Sequence, residues 1–302
     1  MNQPKIAVIG SINMDLVTRA KRFPKMGETL MGVDFHHYMG GKGANQAVAA
    51  ARLGADVRMI GAVGDDEFGY EMLANLSRSG VSTECVKTLA GVQSGMANII
   101  VADGDNAIVV VGGANLGLQA EDIWAFEAQI AEVDVVLAQL EIPLSCIMAA
   151  AEIAQKHGKP FILNPAPAQK LPQELLEKVT LLTPNAYELA ISLDLPLDLS
   201  IEEQIAKAPC PILMTVGSQG AVYNDEEGYL HRVPSFRVMQ VDSTGAGDTF
   251  NAAFAVFWKT KGMAAAVRKA CAAAALSVTK SGAQGGMPFA GELEEFLAQQ
   301  PE

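Results

Sequence analysis

Short runs of apolar residues alternate along the chain with longer stretches in which apolar residues recur every three or four positions. The short runs include KIAVIG (5–10), VRMIGAVG (57–64), VDVVLAQL (133–140) and PFILNPAP (160–167). Each run is followed by a helical pattern. After KIAVIG this pattern is GANQAVAAARLGA (43–55), which is separated from the run by the β-rich segment described below. Strands that alternate with helices of this length argue for βαβ units. We therefore predict an α/β fold with a mainly parallel central sheet and helices on both faces.

Two stretches depart from this alternation. ETLMGVDFHHYM (28–39) has a period-two pattern that places Met31, Val33, Phe35 and Met39 on one side. MANIIVADGDNAIVVV (96–111) contains two β-rich runs around the turn DGDN, which predicts a hairpin. These pieces would form either a small β-sheet lid over a cleft or an ordinary extension of the edge of the main sheet.

The domain organisation follows from the same pattern. The 302 residues contain no repeat of solenoid length, no low-complexity tract and no visible linker. We predict one α/β domain over residues 1–302, with lid segments inserted at about 12–39 and 93–113.

Composition and charge exclude several classes of function. The net charge of −12 opposes docking on nucleic acid or on an anionic membrane, and no apolar run reaches the roughly 18–20 residues of a membrane span. The segment MNQPKIAVIG has no basic leader of the signal type, so we expect a soluble, cytoplasmic protein. The cysteines form no CxxC or Cys/His cluster and are predicted to be buried free thiols: Cys85, Cys146, Cys210 and Cys271.

The stretch TGAGD (244–248) carries the clearest chemical signal. Gly245 and Gly247 permit a close approach to the main chain, and the aromatic residues that follow recur at helical spacing, so the glycines lie at a helix N-terminus. Such an end binds anions through its free N–H groups and the helix dipole. Asp248 would then be either a structural cap or a base beside a bound anion.

Two earlier segments supply groups suited to a ligand rich in hydroxyls. GSINMD (10–15) follows the first strand and sets Asn13 and Asp15 two positions apart, and GGKGAN (40–45) repeats the arrangement of glycines before a helix. Amides and carboxylates can satisfy adjacent hydroxyls. Ligands of open α/β folds bind at the carboxyl ends of the strands, where these segments would meet TGAGD.

The common nucleotide motifs are missing. GGKG (40–43) is not a Walker A loop, since His36 stands where glycine is required and Lys42 is followed by glycine. No GxGxxG follows the first strand, which counts against a nicotinamide oxidoreductase.

The motifs together resemble a known family. GGKGANQAVAAARLGA (40–55) resembles the N-terminal signature of ribokinases, and VDSTGAGDTFNAAF (241–254) resembles the C-terminal signature of the wider ribokinase-like carbohydrate kinase family. Further motifs occur in the family's order: GSINMD, AQLEIP (138–143), NPAPA (164–168), TPNAYE (183–188), TVGSQGA (215–221) and GAQ (282–284). The resemblance covers nearly the whole chain.

The resemblance implies an ATP-dependent kinase that phosphorylates D-ribose at O5. The aspartate matching Asp248 would be the general base, and the backbone N–H groups of Gly245, Ala246 and Gly247 would form the anion hole. By the same comparison, the sugar hydroxyls would be held by Asn13, Asp15, Gly41, Lys42, Asn45, Glu141 and Asp248. Met14 would either narrow the sugar pocket or point away from it.

The resemblance also implies sites for the nucleotide and for metal ions. Asn185 and Glu188 match a motif that organises Mg²⁺ and the phosphates through water, although they could also be a capping pair. The nucleotide side would include Thr215, Gly217, Gly220, Gly247 and Cys271. A K⁺ site would use the side chain of Asp242 and carbonyl groups of Thr244, Ser277, Lys280, Gly282 and Gly286.

The partners implied are a small sugar and ATP, with neither nucleic acid nor membrane, and a second copy of the chain in a homodimer through the lid. Two alternatives stay open. One is a deoxyribokinase or another sugar or nucleoside kinase of the same family, and the other is a non-catalytic sugar sensor that keeps the fold.

Overall fold

The strands and helices follow the alternation of the sequence. The computed structural model describes residues 3–225 and 227–300. The strands are β1 (Lys5–Ile9), β2 (Asn13–Arg19), β3 (Asp34–Gly40), β4 (Asp56–Gly64), β5 (Val81–Leu89), β6 (Gly95–Ala102), β7 (Asp105–Val111), β8 (Val135–Ala138), β9 (Phe161–Leu163), β10 (Leu181–Leu182), β11 (Leu213–Thr215), β12 (Ala221–Asn224) and β13 (Leu230–Val233). The helices are α1 (Lys42–Arg52), α2 (Glu67–Arg78), α3 (Ala114–Gly117), α4 (Ala120–Trp124), α5 (Glu127–Ala131), α6 (Leu144–Lys156), α7 (Gln173–Leu176), α8 (Ala186–Ser192), α9 (Ile201–Ala206), α10 (Ala246–Lys261), α11 (Met263–Ser277) and α12 (Ala290–Ala298).

A parallel sheet forms the centre of the molecule. In the described part of the chain it has six strands in the order β10-β9-β8-β1-β4-β5, all parallel to their neighbours. Beside β10, parallel bridges join Leu182 to Ile212 and Asn185 to Thr215, so β11 continues the sheet in the same direction. β12 then pairs antiparallel to β11, and β13 pairs antiparallel to β12. The prediction of a mainly parallel central sheet is confirmed.

Both faces of this sheet are buried, as its apolar strands require. In β1, Ile6 and Val8 belong to a core cluster shared with α1, α10 and α11. Ala7 and Ile9, which point to the opposite face, belong to a second cluster shared with α6. The helices therefore cover both faces, as predicted.

A separate four-stranded sheet, counted over the described residues, has the order β3-β2-β6-β7. β6 and β7 form the predicted hairpin, with Asp103 and Gly104 in the turn at φ 53° and 79°. β3 begins at Asp34, so Met31 and Val33 precede the strand and are 85% and 63% exposed. The alternating pattern therefore overestimated the length of this strand. We refer to β2, β3, β6 and β7 as the lid sheet.

The lid strands fall close to the segments 12–39 and 93–113, and the division of the chain into one domain with two insertions stays a prediction. Across residues 3–225 and 227–300, none of the helices combines the length and hydropathy that crossing a membrane would need.

Helix α10 is held firmly in the core. Phe250 and Phe254 are buried, and Phe254 stacks on Trp258 with ring centroids 5.4 Å apart. Truncating a buried phenylalanine costs about 3–5 kcal/mol in general, so this face fixes the position of the helix. Its first turn, which contains Asp248, is thereby held in place.

Candidate active site

The N-terminus of α10 forms a tight glycine turn. Gly245 precedes the helix at φ 78°, and a Cβ there would lie 2.8 Å from the carbonyl oxygen of Ala283. Both the left-handed backbone and the close contact require glycine. The N–H of Ala246 donates to the Ser243 carbonyl at 3.2 Å, so this predicted anion-hole donor is already engaged within the turn.

Asp248 is 7% exposed and lies in the first turn of α10. Its Oδ2 accepts from Asn45 Nδ2 and its Oδ1 accepts from Gln46 Nε2, each at 3.0 Å. Both carboxylate oxygens are therefore bound by side chains of α1, which does not fit the capping alternative. Burial raises the pKa of Asp248, while Lys42 and the two amides oppose that shift.

Asn13 and Asp15, the predicted sugar residues that follow the first strand, lie on β2. Asn13 is buried, and its Oδ1 accepts from Asn115 Nδ2 at 2.7 Å. Asn115 is itself fixed by hydrogen bonds with the backbone of Ile12. Met14 is fully buried in a core cluster and is not among the residues that line the two cavities described below.

Asp15 lies next to Gly40 in the paired strands β2 and β3. A Cβ on Gly40 would come within 2.3–2.5 Å of the Asp15 carboxyl atoms, so the glycine leaves room for that side chain. Burial, together with repulsion from Glu141 and Asp248, raises the pKa of Asp15 to about 7. Lys42 acts in the opposite direction.

Lys42 and Glu141 meet at the start of α1. The backbone N–H of Lys42 donates to Glu141 Oε2 at 3.1 Å, and the Ser11 hydroxyl donates to the same oxygen. Gly41 is at φ 86°, where a Cβ would lie 2.6 Å from the Asn13 nitrogen. Burial would lower the pKa of the Lys42 ammonium, yet the surrounding carboxylates raise it. These carboxylates are Asp248, Glu141, Glu188 and Asp15.

A small cavity of about 130 Å³ adjoins Asp248. It is lined by Lys42, Asn164, Ala166, Thr183, Asn185, Glu188, Thr215, Gly245, Gly247, Asp248 and Asn251. Asn185 and Glu188 form a capping box at the start of α8, with reciprocal backbone bonds of 2.8 Å. The pair thus caps α8 and also lines this cavity.

A larger cleft of about 750 Å³ shares Thr215 and Gly247 with the small cavity. Its volume lies within the usual range of about 300–1,000 Å³ for small-molecule sites. The lining includes the predicted nucleotide residues Gly217, Gly220 and Cys271. Burial raises the pKa of the Cys271 thiol to about 12, so it stays neutral.

The predicted cation residues surround the turn before α10. Asp242 accepts from the N–H and hydroxyl of Thr244 at 2.9 and 2.7 Å, and from the N–H of Gly282 at 2.8 Å. Burial opposes ionisation, but these hydrogen bonds outweigh it and lower the pKa of Asp242. A Cβ on Gly286 would lie 1.8 Å from the Ser277 carbonyl oxygen. The Lys280 ammonium lies 3.7 Å from Glu292, away from this group of oxygens.

Several buried amides of the site escaped the sequence reasoning. Gln46 binds Asp248 directly, Gln139 donates to Gln46 at 2.6 Å, and Asn115 fixes Asn13. Gln284 donates to Asn45 at 3.1 Å. For Gln46 and Gln139 the available signal was a polar residue within the apolar pattern of α1 and directly after β8, because buried polar residues need partners.

Comparison with known proteins gives a consistent result. The model of the pfkB family of carbohydrate kinases matches residues 3–290. A ribokinase of Bacillus subtilis (strain 168) is 48% identical over 294 residues, which cover 97% of this chain and 99% of the relative. A deoxyribokinase of Salmonella typhi is 38% identical over 302 residues, which cover 97% and 98%.

The solved structures agree with this result. The structure of Arabidopsis thaliana ribokinase complexed with ribose and ATP superposes with a TM-score of 0.91 at 31% identity, covering 99% of this chain and all of the other. The predicted resemblance is thereby confirmed, as is the fold. The chain belongs to the pfkB family of carbohydrate kinases.

Proposed function

We propose that the chain transfers the γ-phosphoryl group of ATP to O5 of D-ribose, with Asp248 as the general base. The observation that carries this proposal is the position of Asp248. It lies between the polar cluster of β2 and α1 and a small cavity that shares residues with the nucleotide-sized cleft. The ribokinase relatives support ribose as the sugar, and the Arabidopsis complex supports ATP as the donor.

The mechanism follows from the charges around this carboxylate. Asp248 takes the proton of the primary hydroxyl as the sugar oxygen attacks phosphorus, and ADP leaves on the opposite side. Because burial raises the pKa of Asp248, it is a stronger base than an exposed aspartate. Lys42 opposes this shift and favours the ionised form that can accept the proton.

The turn of Gly245, Ala246 and Gly247 stabilises the negative charge on the transferring group. Its N–H groups lie at the positive end of the α10 dipole, where anions bind. Phosphoryl transfer depends mainly on positioning and on charge neutralisation, which fixed backbone donors supply. On this proposal the N–H of Ala246 exchanges its bond to Ser243 for the phosphoryl oxygens.

The sugar is oriented by the residues of β2, α1 and β8. Asn13 is held by Asn115, so its amide is already fixed in place before a sugar hydroxyl binds. Glu141 is held by Ser11 and by the Lys42 backbone. Fixed partners of this kind reduce the entropy lost when the sugar binds.

Mg²⁺ fits the small cavity, since Asn185 and Glu188 contribute oxygen atoms next to the phosphate turn. We propose that these residues hold the ion through water and that it would neutralise phosphate charge when bound. The capping bonds of α8 fix both side chains for this role.

K⁺ fits the oxygen-rich group around Asp242. Gly286 has no side chain, which keeps the Ser277 carbonyl open to a ligand, and hard oxygens suit this ion. The proposed ligands are the Asp242 carboxylate and the carbonyl groups of Thr244, Ser277, Lys280, Gly282 and Gly286. A bound cation there would support the adjoining anion hole electrostatically.

We also propose that the protein acts in the cytoplasm as a homodimer whose interface is the lid sheet. Every residue of β7 is exposed, and Ile108, Val109, Val110 and Val111 are apolar. An exposed apolar edge strand invites pairing with another strand. The net charge of −12 favours neither nucleic acid nor an anionic membrane as a partner.

The experiment that tests the proposed function measures ADP release with ATP, Mg²⁺ and K⁺ across a panel of pentoses, hexoses and nucleosides. We expect D-ribose to give the highest kcat/KM and 2-deoxyribose a lower value. Higher turnover with 2-deoxyribose would support a deoxyribokinase, and binding of sugar without ADP release would support a sensor. Preference for a nucleoside or hexose would overturn the assignment to ribose.

A further inference from the structure

Two chains of amide side chains converge on Asp248. On one side, Gln139 Nε2 donates to Gln46 Oε1 at 2.6 Å, and Gln46 Nε2 donates to Asp248 Oδ1 at 3.0 Å. On the other side, Gln284 Nε2 donates to Asn45 Oδ1 at 3.1 Å, and Asn45 Nδ2 donates to Asp248 Oδ2 at 3.0 Å. Gln46 and Asn45 each accept a hydrogen bond at the amide oxygen and direct the NH₂ group to the carboxylate.

The two chains differ in their relation to the ligand sites. Asn45 belongs to the proposed sugar cluster. Gln46 is fully buried in α1 and lines neither cavity within the part of the chain that the structure describes. Gln46 also donates to Asn164 Oδ1 at 3.2 Å, and Asn164 donates to the Thr183 carbonyl at 3.1 Å. The Gln46 side chain is thus held by Gln139, Asn164 and Asp248. Of these partners, only Asp248 is a proposed reacting group.

We propose that Gln46, held by Gln139, is a positioning residue that sets the orientation and the basicity of Asp248. This inference rests on the proposed function, because it assigns Gln46 to the same phosphoryl transfer. A carboxylate oxygen that accepts from a fixed amide keeps one orientation, and a donor favours its ionised form. Gln139 keeps the Gln46 amide from turning its oxygen toward the carboxylate.

The role of Gln46 can be separated from the other charges near Asp248. The groups that act on this carboxylate electrostatically are Lys42 on α1, Glu141 after β8, Asp15 on β2 and Glu188 on α8. All of them are retained when Gln46 is replaced by a neutral residue. A change in the ionisation of Asp248 in such a variant is therefore assigned to the lost amide.

The test compares Gln46→Met with wild type in single-turnover phosphoryl transfer to ribose between pH 5 and 9. Methionine keeps the length of the side chain and removes the donor. We expect the acid limb of the rate profile to move to higher pH, because loss of the donor raises the pKa of the base. At pH 6 the rate constant should fall by about 10- to 100-fold, the range expected for one hydrogen bond to a charged group. The Kd for ribose should change less than about threefold.

Gln139→Met should move the acid limb of the rate profile in the same direction but by less, because Gln46 is retained and loses only the hydrogen bond from Gln139. This second variant also provides the test if Gln46→Met does not fold. The matched control is Gln204→Met, a buried glutamine of α9 that donates to the Leu199 carbonyl. Its limb should coincide with that of wild type.

An unshifted limb in both Gln46→Met and Gln139→Met would overturn the proposal, even if the rate fell uniformly, because a uniform fall indicates a structural role. A shift of the Gln204→Met limb would overturn it as well. Failure of the proposed function has a different signature: wild type itself would phosphorylate no sugar, or Asp248→Asn would remain active, and the inference would fall with it.

Discussion

At the scale of single residues, the candidate site places four carboxylates around one half-buried ammonium group. Asp15, Glu141, Glu188 and Asp248 all raise the pKa of Lys42. One ammonium faces four carboxylates, and repulsion between neighbouring carboxylates favours the protonated form of an acid. Burial, Glu141 and Asp248 raise the pKa of Asp15 to about 7, so this carboxyl group is partly protonated at neutral pH.

The first prediction concerns the binding of ribose as a function of pH. An ionised Asp15 accepts hydrogen bonds from two hydroxyls, so the affinity for ribose should increase as pH rises from 6 to 8, with an inflection near 7. Calorimetry without nucleotide measures both the Kd and the proton released on binding. Asp15→Asn should remove the inflection, and a Kd of wild type that is constant over this range would contradict the prediction.

The same carboxyl group affects stability with a defined sign. The folded state keeps its proton up to about pH 7, whereas an unfolded aspartate releases it near 3.8. The contribution of Asp15 to the free energy of unfolding therefore falls between pH 4 and 7 and is constant above 7. Denaturation of wild type and Asp15→Asn should show the two stability curves diverging across that window, and parallel curves would speak against the raised pKa.

At the scale of elements, the proposed phosphoryl transfer depends on the N-terminus of α10 and on the loop that packs against it. Gly245→Ala should lower kcat by roughly 10²-fold, because Cβ would meet the Ala283 carbonyl and displace the anion hole, and a shift of about 1 Å can have this effect. Gly262→Ala is the matched control. It has a similar φ of 76° at the other end of α10, but its Cβ would meet open space. Equal losses of activity in the two variants would indicate backbone strain alone.

The cation loop gives a further prediction at this scale. Rates should rise when K⁺ replaces choline in the buffer, since the proposed ion supports the anion hole. Gly286→Ala should weaken this activation, because its Cβ would lie 1.8 Å from the Ser277 carbonyl oxygen, whereas Gly291→Ala has open space and should not. Equal rates of wild type with and without K⁺ would show that the site does not function.

The sequence predicted these elements well where the pattern was local. The strands of the central sheet, the β6–β7 hairpin and the start of α10 follow from runs of residues that are neighbours along the chain. The roles of Gln46 and Gln139 could not be predicted in this way. Gln139 lies 93 positions from Gln46, and Asp248 lies 202 positions from it, so their contacts depend on how α10 and the residues after β8 pack against α1.

Asn185 and Glu188 illustrate the same limit. Their spacing alone is compatible with a capping pair and with residues on the phosphate side of the site. The structure places the pair in a capping box that also lines the small cavity, so the two descriptions are compatible. A spacing rule describes one helix, whereas a cavity is formed by several elements.

At the scale of the whole molecule, the lid sheet has an apolar surface that the single chain leaves exposed. Wild type should elute with about twice the chain mass of 31.8 kDa in chromatography with light scattering. The double substitution Ile108→Lys and Val110→Lys places two charges on one face of β7 and should give monomers. Leu197→Lys, at a site of comparable exposure between α8 and α9, should remain dimeric. A monomeric wild type would contradict the proposed interface.

On the proposed mechanism, Asp248 removes the proton from the sugar hydroxyl at the phosphate turn of α10. The most direct measurement is single-turnover phosphoryl transfer to ribose by Asp248→Asn, together with the Kd values for ribose and ATP. If Asp248 is the base, the rate constant should fall by about 10²- to 10⁴-fold with both Kd values nearly unchanged. A rate constant within tenfold of wild type would contradict it.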